Sequence, residues 1–121
     1  MRTIKAREGL TLWLPVVAWA GLIFYLSGVP DLRITQAWYD IILRKIAHVG
    51  VFGILARLIA RALTGSTLWP WKKIFAASLL LTVFYACSDE YHQTFVAGRV
   101  GAVHDVAIDT AGAWIALGFI P

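Results

Sequence analysis

The chain has 121 residues, 60% of them hydrophobic, a formal net charge of +4 and a mean hydropathy of +0.72, above the apolar share of a water-soluble domain. Its 11 basic and 7 acidic residues fall between long apolar runs, which excludes a soluble helical bundle with polar outer faces and a continuous basic face for nucleic acid. Cys87 is the single cysteine, which excludes an internal disulfide and a cysteine-based zinc site.

The length is that of one domain, residues 1–121, and the first element is a span over 10–27. A basic start, an apolar run and Ala18-Trp19-Ala20 imitate a cleavable leader. Apolar residues nevertheless continue through Leu26, and the uncharged stretch from Leu10 to Gly28 is long enough to cross a bilayer, so it is read as retained. Pro15 lies inside it, which a membrane helix tolerates. The second span, 42–63, opens with Arg44, Lys45 and His48 and closes with Arg57 and Arg61, one turn apart and able to snorkel to one interface. The third, 74–91, follows Trp69, Trp71, Lys72 and Lys73, an aromatic and basic boundary. The fourth, 103–120, has eighteen residues, or roughly 27 Å of helix. The expected fold is all-α: a polytopic membrane protein with four transmembrane helices in a small bundle.

Orientation follows from Lys and Arg. Seven lie in the N-terminal tail and between spans two and three (Arg2, Lys5, Arg7, Arg57, Arg61, Lys72, Lys73). Four lie on the other side (Arg33, Arg44, Lys45, Arg99), which places both termini in the cytoplasm. Asp31, Asp40, Asp89, Glu90, Asp105 and Asp109 then fall on the outer side, with Glu8 inside. Ionisable groups at or within the ends of membrane helices are a functional hypothesis by default.

Three pieces build an outer-face cluster. Lys45, His48 and Phe52 share one face of span two. Asp105 and Asp109 share a face of span four, which Gly112 continues as a smooth patch where another helix can approach. If span three continues one turn, Asp89 and Gln93 lie together and Glu90 points elsewhere. The turn signal Gly98-Arg99-Val100-Gly101 then returns the chain to the membrane with Arg99 near its edge. Four acids thus face two or three cations, and like charges crowded in a poorly solvated site cannot all remain ionised.

These residues carry a resemblance. Arg44-Lys45-x-x-His48-x-x-x-Phe52-Gly53-x-Leu55, Ser88-Asp89-Glu90-x-x-Gln93, Gly98-Arg99-x-Gly101, Asp105 and Asp109-x-x-Gly112 resemble the VanZ family of bacterial membrane proteins over about residues 41 to 118. The resemblance implies a small helical protein of the bacterial cytoplasmic membrane, and the family's namesake is linked to resistance to teicoplanin, a lipoglycopeptide that targets lipid-linked cell-wall precursors. It implies Lys45, His48, Asp89, Glu90, Gln93, Arg99 and Asp105 as site residues. The chain departs from the pattern at Arg44, where an acid is common, and at Asp109, where Asn is usual.

Three functions follow as expectations, against a background in which the polar groups only join helices. The first is binding of an anionic lipid or polyprenyl-linked envelope precursor, with Arg99 and Lys45 on phosphate and Asp89, Glu90, Gln93, Asp105 and Asp109 around them. The second is an enzyme acting on such a lipid, with Glu90 or Asp89 as general acid or base and His48 as proton shuttle. The third is an accessory subunit of a larger membrane complex, or a homo-oligomer, joined through the Gly and Ala of spans two and four. His92 and His104 are read as interfacial. Asp89, Glu90, His48 and His104 are ligand types that suit zinc, but no HExxH-type spacing is present and Lys45 and Arg99 compete, so no metal and no cofactor is expected.

Overall fold

Backbone N–H and C=O groups that leave water must be satisfied within their own segment, and each apolar run does so as a helix. In a computed structural model of the chain, which describes residues 6–28, 37–95 and 103–118 (side chains of residues 6, 41, 103 and 104 excepted), these helices are α1, Ala6–Ser27, α2, Asp40–Ser66, α3, Trp71–Gln93, and α4, Val103–Gly118. The first three are long and apolar enough to cross a membrane. α1 runs on through Pro15, and α2 and α3 extend beyond the spans read from hydropathy.

The junction between α2 and α3 is short and specified locally. Thr67 closes α2 twice on the Leu63 carbonyl, with its N–H at 3.0 Å and its hydroxyl at 2.7 Å. Pro70 has no N–H to donate, and its carbonyl accepts from the N–H groups of Lys73 at 3.0 Å and Ile74 at 3.1 Å, which starts α3.

Successive helices are antiparallel, so α1 and α3 run one way and α2 and α4 the other. α2 and α3 each touch all three other helices, while α1 and α4 do not meet among the described residues. The arrangement is a diamond with α2 and α3 across its short diagonal. Phe52, Leu55, Ala56, Ile59 and Leu63 of α2 form the centre of the core with Ile23 of α1, Ile74 and Ala86 of α3, and Ala113 and Leu117 of α4.

Polarity is not distributed as in a soluble bundle. Ser78, Thr82, Asp89, Glu90, Gln93 and Asp109 are buried beside the apolar core, whereas Leu10, Leu14, Val17, Phe24, Leu80, Phe84, Trp114 and Ile115 face outward. An apolar exterior with polar groups sequestered inside suits hydrocarbon as the solvent.

Candidate functional site

One end of the bundle gathers the ionisable groups in two halves. The first lies between α2 and α4. Lys45 Nζ donates to Asp105 Oδ1 at 3.0 Å, and His48 Nδ1 lies 3.2 Å from Asp109 Oδ1. The numbers rise together on both helices, as they must on parallel neighbours. One turn further the rungs give way to bare backbone: a Cβ at Gly112 would lie 2.5 Å from the Val49 carbonyl oxygen. Small residues at Gly53, Gly112 and Ala116 allow this approach, and the approach brings the four side chains within bonding range.

The two rungs differ in environment. The Lys45 and Asp105 side chains are 41% and 23% exposed, so water competes for the pair. We expect Lys45→Met to lower stability by less than about 1 kcal/mol, measured by thermal unfolding in detergent. Asp109 is 0% exposed, and its Oδ2 has no partner among the described residues. A carboxylate only accepts, so with Asp109 ionised His48 Nδ1 carries the proton and Nε2 is the atom its ring can offer elsewhere.

The second half lies between α1 and α3. Ser27, at the end of the apolar run of α1, donates its hydroxyl proton to Asp89 Oδ1. Gln93 Nε2 lies 3.4 Å from Asp89 Oδ2 and 3.5 Å from Ser27 Oγ. α3 does continue through Gln93, which is why Asp89 and Gln93, one turn apart, share a partner. Tyr85 donates to the Ala20 carbonyl, and Trp19 Nε1 donates to the Val51 carbonyl at 2.9 Å. These bonds fix α1 against both α3 and α2.

A cleft of about 150 Å³ separates the halves. Ser27, Arg44, His48, Asp89 and Gln93 supply its polar lining, and Ile23, Leu26, Val51 and Phe52 supply apolar wall. His48 therefore bridges the two halves, with Asp109 on one side and the cleft on the other. Its ring also stacks near Phe52, centroids 6.0 Å apart at 19°.

Among the residues singled out from sequence, His48, Asp89 and Gln93 line the cleft. Lys45, Asp105 and Asp109 form the adjoining ladder. Glu90 is buried but is not part of the cleft lining. Arg99, its glycine turn and the His104 side chain lie outside the described residues. His92 stacks on Phe24 at 4.1 Å. Among the described residues, no cluster of three or more His, Cys, Asp or Glu side chains is placed to hold a metal ion.

Two cleft residues escaped the sequence reading. Ser27 gave only a weak signal, a hydroxyl closing an apolar run. Arg44 stands where the family pattern commonly has an acid, yet it is the cation on the cleft. Its Nε lies 2.8 Å from Asp40 Oδ2, one turn back, but off the hydrogen-bond axis, so the contact is a charge pair.

The family model described as VanZ/LLP1 matches residues 12–121 of the chain. No curated protein and no solved structure matches it.

Proposed function

This chain belongs to the VanZ/LLP1 family, and from that membership and the geometry of the cleft we propose that it recognises an anionic lipid or lipid-linked envelope precursor in the bacterial cytoplasmic membrane. On this reading all four helices cross the bilayer, both termini are cytoplasmic and the cleft lies at the outer face. The role is of the glycopeptide-resistance type, exerted on the lipid that carries the envelope precursor.

The observation that carries the reading is the joining, in one cleft, of a polar lining to an apolar wall. A guanidinium pairs with phosphate in a planar, two-point contact, and Arg44 is the cleft's cation. The Ser27 hydroxyl, the Gln93 amide and His48 Nε2 bond polar headgroup atoms, while Ile23, Leu26, Val51 and Phe52 contact the chain. At about 150 Å³ the cleft is smaller than the roughly 300–1,000 Å³ of pockets that enclose whole small molecules. It is therefore suited to the junction of phosphate and hydrocarbon rather than to a complete sugar headgroup. Arg99, which follows the Asp89–Gln93 segment by six residues in sequence, supplies a second cation in this reading.

Native mass spectrometry of protein released from mild detergent, with lipid identification, tests it. Wild type should carry a phosphorylated or polyprenyl-linked lipid. Arg44→Gln should reduce its retention about tenfold or more, the loss of one charge-assisted contact, while the protein stays folded. Equal retention in both proteins would refute the assignment, and a stoichiometric protein partner in place of lipid would move it to an accessory subunit.

The Asp109–His48 pair favours one second reading, acid–base chemistry on the same lipid. A buried carboxylate that orients a histidine whose other nitrogen remains available is the arrangement of a general base. In that case His48→Gln keeps lipid retention but removes turnover of the retained lipid; a wild-type protein that leaves the lipid chemically unchanged decides against it.

A further inference from the structure

The end of α2 far from the cleft carries a separate inference. Because α1 and α4 pack on different sides of α2 and do not meet among the described residues, one stripe of α2 is left open. A groove of about 560 Å³ lies there, lined by Ile54, Arg57, Leu58, Arg61 and Thr64 and by Trp71 of α3, among others. Ile54, Arg57, Leu58 and Arg61 recur at the i, i+3, i+4, i+7 spacing of one helical face.

Two guanidiniums one turn apart repel each other, and neither has a carboxylate within ion-pair distance among the described residues. Arg61 is held in place by donating to the Thr11 carbonyl of α1 at 3.3 Å. Lys72 and Lys73 follow Trp71, with Lys73 Nζ 4.2 Å from the Trp69 ring centroid. The end is therefore positive beyond what its own carboxylates neutralise; Glu8 is the only acid that the sequence gives it.

Depth grades the two chemistries. Counted back from Ser66, the last residue of α2, Arg61 lies about 8 Å, Leu58 about 12 Å, Arg57 about 14 Å and Ile54 about 18 Å along the axis. Arg61 thus sits at headgroup depth and Ile54 at acyl-chain depth, and the side chain of Arg57 is long enough to snorkel past Leu58 toward Arg61, on one continuous stripe. A soluble anion would use only the upper part. A second copy of this chain has its other described carboxylates at the opposite end and offers poor charge complementarity here.

We propose that this groove binds one anionic phospholipid, its phosphate between Arg57 and Arg61 and an acyl chain along Ile54 and Leu58. This site is independent of the cleft at the other end of the bundle.

The test titrates the purified whole chain with phosphatidylglycerol, and separately with phosphatidylcholine, counting adducts by native mass spectrometry. One phosphatidylglycerol should bind about thirtyfold tighter than phosphatidylcholine, about fivefold for each guanidinium near an anionic group. Arg57→Gln with Arg61→Gln should abolish that preference, and Ile54→Gln should weaken binding of both lipids. Lys72→Gln with Lys73→Gln should leave affinity within about twofold. Equal binding of the two lipids by wild type would overturn the proposal. So would an equal loss in the lysine variant, which would indicate diffuse charge, or displacement by millimolar inorganic phosphate, which would indicate a free-anion site. A wild-type dimer that the arginine variant dissociates would assign the groove to a second copy instead.

Discussion

Gly112→Ala will lower the stability of the helix bundle by about 2–3 kcal/mol, at the upper end of overpacking substitutions, and Gly112→Val will prevent assembly of α4 on α2. A single methyl at this position would lie 2.5 Å from the Val49 carbonyl oxygen, 2.9 Å from its Cα and 3.1 Å from its carbonyl carbon. Those are backbone atoms of a helix interior, so no rotamer change relieves the clash and the helices must separate. Separation also lengthens the His48–Asp109 and Lys45–Asp105 contacts, now 3.2 and 3.0 Å, so the fold and the site fail together. Gly53→Ala is the internal comparison. There the added Cβ would lie 3.2 Å from the Ala116 Cβ and from the Gly112 carbonyl oxygen, a tight contact that a small shift accommodates, and we expect less than half the loss. Unfolding in detergent with increasing SDS ranks the three variants. Gly112→Ala as stable as wild type would disprove the close crossing.

His48→Leu is expected to be more damaging alone than together with Asp109→Leu. The histidine is the only described partner of an Asp109 side chain that is 0% exposed and whose second oxygen already has none. Removing it strands a buried carboxylate, a loss of roughly 1–3 kcal/mol or more for a charged group. Replacing both partners by leucine removes the stranded group along with its partner, and such exchanges are often neutral. The pair of variants therefore separates the worth of the interaction from the penalty of breaking it. If the double variant is the less stable of the two, Asp109 is satisfied by other groups and the ladder assignment is wrong. Asp109→Asn should be mild, because an amide oxygen can still accept from His48.

The parts of this architecture that were legible from sequence are those with a period. Four apolar runs gave four helices. The helices run a few residues past the apolar spans, since hydropathy stops at Ile42 or Tyr91 while the backbone helix runs from Asp40 and through Gln93. Lys45 and His48, Asp105 and Asp109, and Asp89 and Gln93 could be paired on their faces because three- and four-residue spacings stay within one helix. Gly112 could be read as a contact patch for the same reason. Register between helices has no such signature. That Lys45 meets Asp105, or Ser27 meets Asp89, depends on separations of 60 and 62 residues. Arg44 carries no such signal, because the family pattern commonly has an acid at that position. A rotation of about 100° between adjacent helical residues turns the two cations to different surroundings, Lys45 to α4 and Arg44 to the cleft.

Those long separations also set a timetable for biogenesis. Lys45 and His48 find their carboxylates 60 and 61 residues later in the chain. At about 5–20 residues per second, a ribosome takes roughly 3–12 s to make the intervening segment. Through that interval the newly inserted α2 has a cation and a histidine on a face awaiting its last neighbour, with only α1 and then α3 to cover the others. Assembly thus finishes at the helix made last, and a translational pause between α3 and α4 would lengthen the time in which a membrane protease or insertase can recognise the unfinished edge.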